Sequence, residues 1–177
     1  SSAADFKGLL IESIREPNPV VFFADLMLLG KKGDVPEGAY SIEFGKADVK
    51  REGTDVTVVA IGSTVPQALE VADQLAETGV SVEVIDPRTL VPFDWDAVAK
   101  SVSKTGRLVA VDPNRETCGA ASEIITQAVE RCWSQLKAQP QRVTWPNVPM
   151  PYSPPLEKAV VSDLDDIRRA IELTLKS

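Results

Sequence analysis

From residue 55 onward the chain repeats one pattern: a short apolar run rich in β-branched residues, then a stretch with helical spacing. The apolar runs are "VTVVAI", "VSVEVID", "RLVAVD" and "QRVTW". Each is too short for a helix of ordinary length, and most are flanked by a glycine or proline. The stretches between them place apolar residues on one helical side. After the first run these are Val65, Leu69, Ala72 and Leu75, ended by Gly79. "FDWDAVAKSVSKTG" reads as a short helix closed by Gly106. In residues 119–136, Ile124, Ile125, Ala128, Val129 and Cys132 share a side. The final helix carries Leu164, Ile167, Ile171 and Leu175, with "SDLD" resembling a capping box at its start. Alternation at this spacing specifies an α/β domain with a mostly parallel sheet and helices on both faces.

The first 54 residues break the pattern. A helix around Phe6, Leu9, Leu10 and Ile14 is stopped by Pro17 and Pro19, and "VVFFAD" then reads as a strand over 20–24. A strand needs neighbours, and none precedes it, so this end reads as cut from a longer chain. Glycines 30, 33 and 38 and Pro36 mark turns, and the turn at Gly53 is the boundary before the regular alternation.

Charge and residue absences narrow the function. The net charge is -7, which opposes binding to a phosphate backbone, since that needs clustered Lys and Arg. No apolar run approaches a membrane span. The 177 residues contain no histidine, which excludes a Ser-His-Asp triad, a Cys-His dyad and a His-ligated zinc within the chain. The two cysteines, Cys118 and Cys132, read as free thiols in a reducing interior. Placed on one helix they would be roughly 20 Å apart, too far for a disulfide.

Several positions have both a chemical and a structural reading. Gly62-Ser63-Thr64 lies where a strand meets a helix, a corner that can hold phosphate, but a plain N-cap by Ser63 or Thr64 accounts for it better. Cys118 stands near a helix start, which lowers a thiol pKa, yet Glu116 opposes this and no histidine is present as base. Cys132 reads as core. Arg88, among Asp86, Asp94 and Asp96, is either an anion clamp or a turn-fixing ion pair, the latter favoured. Asp163, Asp165 and Asp166 complement a helix dipole, with partner docking as a second reading. Tyr152, in "PNVPMPYSPPLEK", is either an interface anchor or packed on its own chain. No set of residues here makes a complete active site.

Three motifs in order carry a specific resemblance: "GKADVKREGTDVT", "EVIDPRTLVPFD" and "PYSPPLEK". Together with "DFKGLLIESIREPNPVVFF", they resemble the C-terminal half of the β subunit of thiamine-diphosphate-dependent 2-oxo acid dehydrogenases, the pyruvate, branched-chain and acetoin group of the transketolase superfamily. The resemblance implies a three-layer α/β/α fold whose five-stranded sheet is mostly parallel, with an antiparallel first strand near 48–51. It implies that residues 1–25 are a helix and strand of the pyrimidine-binding domain, 26–45 a linker, and 46–177 the transketolase C-terminal domain. The whole enzyme, a heterotetramer in a multienzyme complex, would decarboxylate a 2-oxo acid on thiamine diphosphate and Mg and acylate a lipoyl group. Its cofactor contacts would lie outside these residues, so this part is expected to bind no cofactor and to be inactive alone. The implied partners are an α subunit, a second β subunit and the dihydrolipoyl acyltransferase core, in a bacterial cytoplasm or mitochondrial matrix. Alternatives are the same domain of another superfamily enzyme, such as 1-deoxyxylulose-5-phosphate synthase, and a non-catalytic α/β interaction module.

The turn "VDPNRETCGAASE" departs from the family pattern. Asp112 stands where the family has His, Cys118 and Ala121 where it has Gly, while Thr117, Gly119 and Glu123 match. Ala24 replaces a family Glu, and Leu29 stands near a family Tyr. The expected role of Gly119 is close backbone packing, and that of Glu123 is a favourable charge near a helix start.

Overall fold

The computed structural model describes residues 1–176. Helix α1, Ala3–Arg15, begins with a reciprocal capping box. The Asp5 N–H donates to the Ser2 hydroxyl, and the Ser2 N–H donates to the Asp5 carboxylate. Arg15 ends the helix, two residues before Pro17, which has no N–H to continue the ladder.

The sheet contains β1 (Asp48–Arg51), β2 (Val56–Ala60), β3 (Val82–Asp86), β4 (Leu108–Arg115) and β5 (Gln141–Trp145), in spatial order β1-β3-β2-β4-β5. β1 pairs antiparallel with β3, and the remaining pairs are parallel. The antiparallel first strand therefore falls where the resemblance places it. Helices α2 (Thr64–Ala76), α3 (Trp95–Thr105), α4 (Ala120–Cys132), α5 (Pro154–Lys158) and α6 (Leu164–Leu175) follow, with a short 3-10 turn at Trp133–Gln135.

Residue alternation builds the three layers. Val56, Val58, Val82, Val84, Val109, Val111 and Val143 face α2 and α6, meeting Val65, Ala68, Val71, Ala72, Ile167 and Ile171. The intervening residues Val59, Ile85, Leu108 and Ala110 face α3 and α4, meeting Val98, Val102, Ala121, Ile124, Ala128 and Cys132. Successive side chains of a strand point to opposite faces, so helices on both sides require apolar residues at nearly every strand position. The central strands read as continuous apolar runs for that reason. Thr57 is a buried exception on β2, and its hydroxyl is satisfied by Ser101 at 2.6 Å and Thr105 at 2.8 Å.

The structure corrects four local expectations. Residues 20–24 form no strand, although "VVFF" has strong β propensity. The five strands of the sheet lie elsewhere, and an extended segment without a pairing partner gains no ladder bonds. Val21 and Phe23 are consequently 77% and 85% exposed. The capping box of α6 uses Asp163 and Asp166, one residue later than "SDLD" suggests. Ser63 is the N-cap of α2 but makes no side-chain cap bond. Cys118 lies in the turn before α4, not on one helix with Cys132, and both cysteines are free. The short helix α5 inside the proline-rich loop has no apolar period to announce it.

The connections diverge at the carboxyl ends of the central strands. β2 leads into α2 on one face, whereas β4 leads into α4 on the other. Between strands whose following helices diverge, the loops part, and open α/β sheets commonly hold ligands there.

Candidate functional site

Two regions collect most of the singled-out residues: the carboxyl edge of the sheet, and the outer surface around α5 and the start of α6.

At the carboxyl edge, β4 runs into the turn at 116–119. The turn is tied to β5 and the loop beyond it. The Glu116 N–H donates to Trp145 O at 2.9 Å, and Arg142 Nη1 donates to Glu116 O at 3.1 Å. Asn147 Nδ2 donates to Thr117 Oγ1 at 2.7 Å. Gly119 is the buried N-cap of α4 and has no side chain to cap with. Asp112, in β4, takes that role, its Oδ2 accepting the Ala121 N–H at 3.1 Å. Burial pushes the Asp112 carboxyl up, and the amides of Ala121 and Ala120 oppose this without cancelling it. A Cβ at Gly119 would stand 2.6 Å from Arg115 O and 2.9 Å from Asp112 Oδ2. Close approach requires glycine here, not backbone angle, since φ is -79°. Glu123 is exposed in the first turn of α4.

Cys118 is exposed, with φ at 62°, in the left-handed region that favours glycine. No histidine exists to activate it. A non-glycine residue here costs about 1 kcal/mol or more, partly offset by the greater unfolded-chain entropy of glycine. Cys118→Gly is expected to raise stability by about 0.5–1 kcal/mol, read as a higher urea midpoint at unchanged slope. A lower midpoint would contradict this account of the turn.

Arg88 also has positive φ, at 58°. Its fork is directed inward: Nε donates to Lys46 O at 3.0 Å, Nη2 to Ala47 O at 3.3 Å, and Nη1 to Asp5 Oδ1 at 3.3 Å. The guanidinium fixes the approach to β1 and joins it to α1. Lys50 Nζ reaches Asp5 Oδ2 at 2.7 Å. Burial raises the Asp5 carboxyl, but hydrogen bonds from Lys50 and Ser2 outweigh it and hold the group well below the usual carboxylate range. Asp5 has no sequence signal beyond a helix start, because its lysine and arginine partners are 45 and 83 residues away.

Around α5 the surface is open. Tyr152 is 101% exposed, and Val148, Met150 and Leu156 are exposed with it. A groove of about 370 Å³ runs between α5 and α6, lined by Pro154, Glu157, Lys158, Ser162, Asp163 and Leu164, with Gln67 from α2. Asp163 is occupied in capping, Asp166 pairs with Arg169 at 3.2 Å, and Asp165 is exposed in the first turn. The three aspartates therefore share one helix start, and the Tyr152 ring stands in solvent two residues before α5.

Among the described residues, no three His, Cys, Asp or Glu side chains come together to hold a metal ion, and no helix is long and apolar enough to cross a membrane.

A family model described as the transketolase C-terminal domain matches residues 45–167. The β subunit of acetoin:2,6-dichlorophenolindophenol oxidoreductase from Cupriavidus necator is 43% identical over 176 residues, covering 99% of this chain and 52% of its own length. The pyruvate dehydrogenase E1 component subunit beta of Bacillus subtilis is 42% identical, over 86% of this chain and 47% of its own length. The mitochondrial subunit beta-1 of Arabidopsis thaliana is 41% identical, over 96% of this chain and 48% of its own length. The chain spans about half the length of these curated relatives. Among solved structures, a split-gene transketolase described as an inactive β4 tetramer is similar at a TM-score of 0.64 and 26% identity, covering 81% of this chain and 46% of that one.

Proposed function

Because this chain belongs to the family of transketolase C-terminal domains, we propose that it is the assembly and partner-docking portion of a 2-oxo acid dehydrogenase β subunit. Identities of 43%, 42% and 41% to acetoin and pyruvate dehydrogenase β subunits support this reading over another superfamily enzyme. In this proposal residues 1–25 belong with the pyrimidine-binding domain, 26–45 link the two parts, and 46–177 make the C-terminal domain. The complete enzyme decarboxylates its 2-oxo acid, or cleaves the related acetoin, on thiamine diphosphate with Mg and passes the acyl group to lipoyl. It works as a heterotetramer with an α subunit, inside a bacterial cytoplasm or mitochondrial matrix.

The residues described here do not fit a diphosphate cradle. The corner that would offer backbone amides, at Gly62 and Ser63, is taken by the chain's own Asp25 carboxylate. We assign the cofactor to the rest of the enzyme and no reaction step to these side chains.

The observation that carries the docking role is the fully exposed Tyr152 on its proline-rich loop, with Val148, Met150 and Leu156 exposed alongside. An aromatic ring amid apolar residues is the composition of an interface centre. Asp165, at the start of α6, adds a negative charge that suits a basic partner such as an acyltransferase subunit-binding domain. The full-length chain with its α subunit should reduce an artificial acceptor in a 2-oxo-acid-dependent or acetoin-dependent way, and absence of both activities would sink the enzyme assignment. Tyr152→Ala with Asp165→Lys should weaken capture of the subunit-binding domain by about tenfold or more while leaving that acceptor reaction intact. Unchanged capture would remove the docking assignment.

A further inference from the structure

The Thr64 and Val65 amides at the start of α2 find local carbonyls, Ile61 O and Gly62 O, but the helix has no side-chain cap of its own. Its N-cap Ser63 has right-handed helical angles and makes no side-chain cap bond, and no acidic residue lies in the first turn. The first amides of a helix need acceptors, and its positive dipole end favours an anion. Here an acceptor comes from outside the helix. Asp25 Oδ2 accepts the Ser63 N–H at 2.7 Å, across 38 residues of chain. The same residue organises its own segment: Oδ1 accepts the Met27 N–H at 3.0 Å, and the Asp25 carbonyl accepts the Leu28 N–H at 3.0 Å. Gly62 makes room for it. With φ at 57°, Gly62 has no side chain, and a Cβ there would stand 2.8 Å from Asp25 Oδ2.

We infer that Asp25 is a latch that fastens the 25–31 segment to the carboxyl edge of the sheet by capping α2 in place of a local residue. One carboxylate closes a turn in the linker with one oxygen and the helix end with the other. Apolar burial contributes little to holding the segment, since Leu26, Met27 and Leu29 are exposed. The latch also occupies the corner after β2 where a sheet of this topology would otherwise present free amides.

Cap and tether can be separated. In the full-length chain, Asp25→Ala should speed hydrogen exchange at the Met27, Leu28 and Ser63 amides by about tenfold or more. Met27 and Ser63 lose a charged acceptor, and the turn that holds Leu28 is released with them. Adding Ser63→Asp places a negative charge at the start of α2, where the helix dipole favours it, without restoring the link. The double variant should recover the thermal midpoint lost in Asp25→Ala while Met27 and Leu28 stay fast. Exchange at Met27 and Leu28 that is unchanged in Asp25→Ala, or restored in the double variant, would overturn the latch.

Discussion

Replacing Asp5 by Ala is expected to cost about 3 kcal/mol of stability, near the lower end of what breaking a buried ion pair costs. The carboxylate is buried, at 4% exposure, between α1, β1 and the turn after β3. It accepts from Lys50 Nζ at 2.7 Å, Arg88 Nη1 at 3.3 Å and the Ser2 hydroxyl at 2.7 Å. Alanine would remove the N3 half of the capping box and leave Lys50 and Arg88, both partly buried, short of a partner. Lys50 keeps Asp48 and Arg88 keeps two carbonyls, which limits the loss. The damage should concentrate where α1 meets the domain. Exchange should accelerate along α1 and at Ile42, whose N–H donates to Gly8 O at 3.2 Å. A urea titration together with hydrogen exchange reads both effects, and a variant as stable and protected as the parent would refute the role given to Asp5.

The same substitution alters the response to acid. Folding lowers the Asp5 carboxyl, so its contribution is present above the ordinary carboxylate range and is lost as pH falls through and below that range. Glu83 has the same sign. Burial raises it, but Lys104, Ser101 and the Gly53 N–H outweigh burial and lower it. Asp112 has the opposite sign: folding raises its carboxyl, so its contribution is fully present below the unfolded pKa and is lost as pH rises through the folded value. Asp5→Ala should therefore flatten the loss of stability in acid.

Gly53→Ala should be more damaging than its single methyl suggests. Gly53 is buried beside β3, and a Cβ there would overlap the backbone of Val82 and Glu83. Backbone in a sheet cannot turn aside as a flexible side chain can. The segment after β1 would have to move off β3, stretching the Gly53 N–H bond to Glu83 Oε2, now 3.1 Å, and the Thr54 and Asp55 N–H bonds to Ser81 O at 3.2 and 2.8 Å. Glu83 would then rely chiefly on Lys104. Overpacking of this kind costs about 3 kcal/mol or more, which lowers the thermal midpoint of a chain this size by roughly 6–12 °C. Gly33→Ala is the control, since nothing lies within 4 Å of a Cβ there. It should change stability by less than about 0.5 kcal/mol. Equal midpoints for the two variants would show that the segment at Gly53 can yield.

The legibility of each feature follows the range of the interaction behind it. Helices α2, α3, α4 and α6 and strands β2 to β5 are readable because their apolar periods are local records of which side is buried. β1 is short and carries charge, and its position comes from the resemblance of "GKADVKREGTDVT" to a family motif. Residues 20–24 show the limit of propensity: β-forming residues make no strand without a neighbour to bond. A cap for α2 is expected at Ser63 or Thr64 because caps are usually adjacent, and a carboxylate 38 residues upstream leaves no adjacent signal. The α5 surface is half legible. "PYSPPLEK" marks the loop, but exposure of Tyr152 depends on what folds over it.

The α/β class, the apolar faces of the helices and the family of the motifs were determined by the sequence alone, because periodicity and motif order are properties of neighbouring residues. Only the tertiary structure decided that Arg88 turns inward to Asp5, that Gly53 and Gly119 must lack a side chain, and that Asp25 caps α2. Each of these depends on which backbone groups and charges the folded chain brings within a few ångströms, and residues tens of positions apart carry no local record of that meeting.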